Sequence, residues 1–383
     1  MKIIRQFILT IFFVLTLVNE KVHSSEKIKI GLMVPLSGEY KEIGKSILNA
    51  TKLAINKIDN NKILIIPKDT KAKPDIALKV AKELQDNGTQ IVIGPLFNKN
   101  LIYLDKLDKM IFLSLSNKVL ETPKNVISGG INAESQINTI KRFQKEFNIE
   151  RTIFLIPSTD YKPEIENAIK QTKIKLKDKF IYNTDPTKLT SQIEKLTRYS
   201  QRKQNLLDEI KRIENSDEPN KEKKIENLKK RDTLGGINFD SVIIGDFDES
   251  LKSVATSLLY TDISAKRINY IALNQWFDKS LIEEKSLHPF YFPSINKNNY
   301  EEFKLEYSKI FGKDPNQISF LSYDLIGLVY FLVYKNNFIV DEKIFYKKSK
   351  FKGKVGIFEI NKNKINHILN FYSAEGDDFK KIF

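Results

Sequence analysis

The chain has 383 residues, 41% of them hydrophobic; this is too long for one ordinary core and too apolar for general disorder, so two domains are expected. It has no cysteine, which excludes disulfides, thiolate chemistry and a lipidated cysteine anchor. The formal charge of +15 favours anionic partners, but Lys, Asn and Ile recur along the whole chain and the lysines form no aromatic-interleaved nucleic-acid patch.

Residues 1–24 read as a signal peptide. Lys2 and Arg5 supply the positive start, and Phe7–Val18 is an apolar core too short for a comfortable membrane span. Val22 and Ser24 fit cleavage after Ser24. An uncleaved anchor is the alternative. Three cations and one anion precede the cut, so the mature chain would keep +13 and be exported and soluble in the periplasm.

Strands and helices then alternate. Residues 28–34, 62–67, 90–94 and 110–116 are apolar strand runs. Ile43, Ile47, Ala50, Ala54 and Ile58 recur at helical spacing between the first two. Pro74 opens a further helix with Ile76, Val80 and Leu84 on one face, and Gly88 stops it. A glycine-bearing connection at 127–136 leads into a restart of the rhythm. Strands follow at 151–157, 179–183, 239–247 and 267–273, and apolar-faced helices at about 298–311 and 317–334. The end of the chain reads as a hairpin of 355–361 and 365–372 turning at Asn361 to Lys364. This pattern predicts an α/β protein with two doubly wound parallel-sheet lobes and a ligand cleft between them.

Arg198 to Arg231 breaks the rhythm. Leu206, Leu207, Ile210 and Ile213 form a thin apolar stripe before Pro219, and Ile225 and Leu228 do so after it. A charged helical hairpin inserted into a crossover fits this pattern. It is either a solvated excursion or a docking arm for a protein partner.

Chemistry is sought first in Gly31 to Ile47, where an apolar run stops at Pro35 before Ser37 and Gly38. Gly44-Lys45-Ser46 mimics the end of a phosphate-binding loop, but the glycine it requires falls on Glu39. A nucleophilic-serine elbow fails because Pro35 and Glu39 flank Ser37 where glycines should be. Asp246 and Asp248 fit a helix start better than an acid–base pair. Of three histidines, His23 lies in the signal and His288 and His367 are far apart, and no calcium-loop pattern occurs. No catalytic residue, metal or cofactor is expected.

What remains is a set of polar loops at strand carboxyl ends, where open α/β sheets bind ligands. They supply the candidate ligand residues: Ser37, Gly38, Phe97, Asn98, Ser114, Ser116, Lys118, Tyr161, Asp246, Phe247, Asn274 and Trp276. Trp276, the only tryptophan, is either ordinary packing or a cleft wall.

The runs "IKIGLMVPLSGEYKEIGKSILNATKLAI" (28–55), Asp69-Thr70, "IVIGPLFN" (91–98), "FLSLSN" (112–117) and residues 300–329 with Tyr323-Asp324 resemble the leucine/isoleucine/valine-binding family of type I periplasmic binding proteins. Within that likeness, "FLSLSNK", "KRDTLGGINFDSVIIGDF" (230–247), "ALNQWFD" (272–278) and "FKGKVGIFEI" (351–360) resemble the penicillin-binding-protein activators of alphaproteobacteria. The resemblance covers nearly the whole mature chain. It implies a non-enzymatic receptor that closes by a hinge crossed about three times. Lobe 1 would be 27–133 with 277–348, and lobe 2 would be 134–276 with 349–383, carrying the 198–231 insertion. It implies a small amino-acid-like ligand and either a penicillin-binding protein or an ABC permease as partner. Nucleic acid is not implied, and the membrane only through the signal. The transport branch's Ser-x-Ala-Ala-Thr loop becomes Ser114-Leu115-Ser116-Asn117-Lys118, a serine after "GPL" gives way to Asn98 and Lys99 nearby, and a tyrosine before glycine becomes Tyr161-Lys162. No acidic partner for an α-ammonium group stands out.

Overall fold

The computed structural model describes residues 27–273 and 276–383; the signal segment and Asn274 lie outside them. The first unit runs β1 (Ile28–Val34), α1 (Lys41–Ile58), β2 (Ile63–Asp69), α2 (Pro74–Asp86), β3 (Ile91–Ile93), β4 (Ile111–Ser114) and β5 (Val126–Ser128). All five strands are parallel to their neighbours in the order β5-β4-β3-β1-β2. Nearly all of β1 is buried, as a continuous apolar run in mid-sheet must be. α1 buries Ile47, Ala50, Leu53 and Ala54 on the face that the helical spacing marks. Gly44 is required there by packing: a Cβ would fall 1.7 Å from the Pro35 carbonyl oxygen.

The second unit continues with α3 (Ala133–Glu146), β6 (Thr152–Pro157), α4 (Lys162–Thr172), β7 (Asp178–Tyr182) and α5 (Pro186–Thr197). Then come α6 (Tyr199–Glu214), α7 (Lys221–Lys229), β8 (Ser241–Ile244), α8 (Asp248–Tyr260), β9 (Asn269–Ala272), α9 (Lys279–Glu283) and β10 (Phe290–Ser294). Strands β10-β9-β8-β6-β7 are again parallel.

The chain next returns to the first unit through α10 (Lys297–Phe311) and α11 (Ser319–Lys335). Tyr307 accepts a hydrogen bond from Asn49 at 3.2 Å, Glu306 pairs with Lys57 at 2.7 Å, and the Asn316 amide donates to Ser46 Oγ at 2.8 Å, all on α1. A short α12 (Lys343–Tyr346) precedes β11 (Ser349–Lys352), β12 (Ile357–Asn361) and β13 (Lys364–Ile368). These last three strands extend the first sheet beyond β5, whereas β14 (Asn370–Glu375) and β15 (Asp378–Lys381) join the second sheet beside β10. The result is two α/β lobes whose parallel sheets carry antiparallel additions at one edge.

The lobe boundaries differ from those read off the sequence. Residues 277–294 do not return to the first lobe, because β10 pairs with β9 and β14 in the second sheet. Residues 349–368 stay in the first lobe, because the β12–β13 hairpin pairs onto β5. The three crossings therefore lie at about 129–133, 295–296 and 369. The hairpin turn itself stands where it was expected, with Asn361 opposite Lys364.

The insertion is a helical pair with unequal arms. α6 is built into the second lobe: Arg202 is buried and donates to Thr261 O at 3.0 Å and Thr233 Oγ1 at 2.6 Å, with Asp262 Oδ2 3.5 Å away. Tyr199 donates to Asp232 at 2.9 Å, and Leu206 and Ile213 are buried. α7 buries no residue at all.

Candidate functional site

The loops after β1, β3, β4, β6, β8 and β9 converge where the lobes meet. The loop after β1 is fixed from within. Ser37 donates to Asp69 Oδ2 at 2.5 Å, and the Leu36 and Lys71 amides donate to Oδ1 at 2.8 and 2.9 Å. Burial opposes ionisation of Asp69, but the bonds from Ser37 and the Lys71 and Leu36 amides outweigh it and hold its carboxyl below the usual range. Ser37 thus braces the rim, and Gly38 beside it takes φ 77°, a left-handed turn that glycine adopts freely.

Ser114 is fully buried at the end of β4, donating to Pro95 O at 2.9 Å and accepting from the Ser116 amide at 3.1 Å. It shapes the following loop and faces no open space. Asp246 is spent in a similar way, accepting from the Tyr182 hydroxyl at 2.9 Å and the Phe247 amide at 3.0 Å. Burial keeps its carboxyl above the usual range despite those bonds. Tyr161 and Phe247 pack edge to face with centroids 5.7 Å apart, and burial pushes the Tyr161 phenol well above its ordinary pKa.

Five of the sequence candidates do meet. Phe97, Asn98, Ser116, Lys118 and Trp276 line one cavity of ≈ 290 Å³, closed by Leu96, Leu115, Asn117 and Ile131, by Ile318 just before α11 and by Leu321 on it. Both lobes contribute: Trp276 follows β9, whereas Phe97, Ser116 and Leu321 belong to the first lobe. Phe97 is held by edge contact with Tyr40 at 4.6 Å.

Three residues absent from the sequence candidates fix segments around the cavity and the crossings. Glu164, near the start of α4 in the second lobe, is buried and accepts from the Val119 and Leu120 amides of the first lobe at 3.0 and 2.9 Å. Lys118 Nζ reaches Asp160 O at 3.4 Å beside it. Gln317, just before α11, pairs twice with the backbone of Phe277, which fixes the segment carrying Trp276. Asp324 of α11 accepts from the Lys354 and Val355 amides at 2.9 and 2.7 Å, clamping the β11–β12 loop near the second crossing. A Cβ on Gly353 would fall 2.1 Å from its carboxylate. Burial outweighs those two bonds and raises the Asp324 carboxyl to about 6. Such pairings join residues far apart in the chain, so local patterning carries no signal for them.

Among the described residues no cluster of His, Asp or Glu could hold a metal, and no helix is long and apolar enough to cross a membrane.

Two sheets crossed three times, with a cavity at the strand carboxyl ends between them, decide the architecture. The fold is that of the type I periplasmic binding proteins. Residues 27–196 match the family model described as periplasmic binding protein. No curated protein matches the chain. Among solved structures, a putative branched-chain amino acid ABC transporter protein from Rhodospirillum rubrum superposes with TM-score 0.69 at 12% identity, covering 93% of this chain and 100% of that one. A solute-binding protein of an ABC transporter from Rhodopseudomonas palustris, solved with 3,4-dihydroxybenzoic acid, gives 0.58 at 16%, covering 91% and 92%. The C-domain of LpoA from Haemophilus influenzae, a regulator of PBP1A, gives 0.59 at 14%, covering 93% and 100%. At these identities the shared property is the binding-protein fold.

Proposed function

We propose that this chain is an exported, non-enzymatic receptor of the periplasm that closes over a small ligand and acts through a protein partner, as an activator of penicillin-binding proteins. The observation that supports the protein-partner reading is the α6–α7 arm. One helix is anchored by a buried arginine network, and the other has no fully buried residue and leaves all but Lys221, Ile225 and Leu228 exposed to solvent. The local resemblance of residues 112–118, 230–247, 272–278 and 351–360 to penicillin-binding-protein activators supports the identity of that partner.

The test is the glycan- and peptide-linking activity of purified penicillin-binding proteins with and without this chain. Stimulation is expected, and it should be lost when residues 220–230 are replaced by a short Gly-Ser turn. Because α7 buries no residue, that variant keeps its fold. Equal stimulation by the shortened form would remove the arm from the mechanism. Failure of the intact chain to bind any penicillin-binding protein would remove the activator reading.

A second reading, the solute-binding subunit of an ABC importer, is favoured by the lobe-spanning cavity itself. It predicts a rise in melting temperature with the imported solute, because a ligand of the native state alone stabilises that state.

A further inference from the structure

Resting on the reading of the lobe-spanning cavity as a ligand site, we infer that its occupant is a small organic acid with an apolar body and no ammonium group. The charge on its walls carries this. Lys118 is the one charged residue among those that line it, and the other polar groups are Asn98, Ser116 and Asn117. The remaining walls are aliphatic or aromatic. No carboxylate lines the cavity among the described residues, and residues 274 and 275, just before Trp276, are Asn and Gln by sequence and bring none.

The buried and half-buried acids on the surrounding loops are committed elsewhere, and the exposed Glu39 and Asp248 do not line the cavity. Glu164 holds two backbone amides of the first lobe, Asp69 holds Ser37 and two amides, and Asp246 holds Tyr182 and the Phe247 amide. Asp160 is exposed and gives Lys118 only its carbonyl, at 3.4 Å. A zwitterion here would bury its ammonium beside a lysine with no counter-charge, which is strongly unfavourable. A carboxylate alone meets the opposite situation. Lys118 makes one long hydrogen bond and keeps donors to spare, and Asn98 and Asn117 line the same cavity. The volume of ≈ 290 Å³ lies at the small end of the roughly 300–1,000 Å³ usual for ligand sites, which restricts the apolar body to one ring or one branched chain.

The test uses matched pairs that differ only in the amine: 4-methylpentanoate against leucine, and 3-phenylpropanoate against phenylalanine, with 2-phenylethylamine as the cationic control. Binding to the exported chain is followed by calorimetry and by the fluorescence of Trp276, the sole tryptophan and a wall of the cavity. Each acid should bind at least about tenfold more tightly than its amino acid, and the amine should not bind. Lys118→Met should weaken the acid about tenfold or more, and Lys118→Arg should retain most of the affinity. An amino acid binding as tightly as its deaminated partner would overturn the inference while leaving the receptor reading intact, as would acid binding indifferent to Lys118→Met. If none of the five compounds binds, both the inference and the ligand-site reading fall.

Discussion

At the scale of single residues, the candidates divide by what their hydrogen bonds already do. Ser37, Ser114 and Asp246 each satisfy protein groups, so they build the rim instead of presenting themselves to a ligand. Sequence could place them on the right loops, because strand ends and punctuating Pro and Gly are local signals. It could not see that Asp69, 32 residues away, accepts the hydrogen bond from the Ser37 hydroxyl. Asp324 shows the same limit, since its two amide partners lie 30 and 31 residues on. It also allows a pH prediction. Its folded carboxyl, raised to about 6 from an ordinary 3.8, binds a proton that the unfolded chain has released between those values. Stability from this group is therefore greatest below about pH 4 and is lost as pH rises through 6. Urea unfolding of wild type and Asp324→Asn between pH 4 and 7 should show the wild type's relative stability falling by on the order of 1–3 kcal/mol across that window, with the variant lacking this component. Parallel curves would show that Asp324 does not titrate there.

At the scale of elements, most strands were legible because buried parallel strands are continuous apolar runs. Two were not. β5 is only three residues, Val126–Ser128, and its glycine-rich exit reads as loop. β10 contains Pro293, which ordinarily argues against a strand with neighbours on both sides. It is accommodated because the parallel pairing to β9 covers only Phe290 and Tyr291, so Pro293 stands beyond it, opposite Phe371 of β14. The insertion was legible as a helical hairpin, but its asymmetry rests on Arg202, whose partners lie 31 to 60 residues on. Arg202→Ala should cost about 1–3 kcal/mol in urea unfolding, because it leaves the buried Thr261 carbonyl without its donor, whereas Asp262 keeps Thr233 and Arg267. Ile225→Asp on α7 should cost less, about 1 kcal/mol in the same assay, since Ile225 is only half-buried and α7 has no fully buried residue. Equal costs would show that both arms are integral to the lobe.

At the scale of the whole molecule, the two lobes are joined across the cavity by groups of the protein itself. Glu164 of the second lobe holds two amides of the first, and its removal leaves both without an acceptor. Charge-assisted bonds of this kind contribute about 1.5–3 kcal/mol each, so Glu164→Ala should shift the ligand-free protein toward an open form. Small-angle scattering should record a larger radius of gyration for the variant than for wild type. Identical scattering curves would mean that the lobes are held by other contacts. A two-lobed binding-protein architecture was readable from the order of the motifs. The route between the lobes was not, because the chain changes sheet at Leu369 with no interruption of the apolar pattern.

That change of sheet has a mechanical consequence. β13 ends at Ile368 in one sheet and β14 begins at Asn370 in the other, so one buried residue is the whole connection. A single residue spans about 3.5 Å, too little slack for the sheets to part or slide at this point. Any rotation of one lobe against the other would therefore use Leu369 as an axle at this crossing, through the backbone torsions of one or two residues, and displacement would grow with distance from it. A few degrees of rotation there move the β13–β14 junction hardly at all, and swing farthest those loops that stand most distant from it.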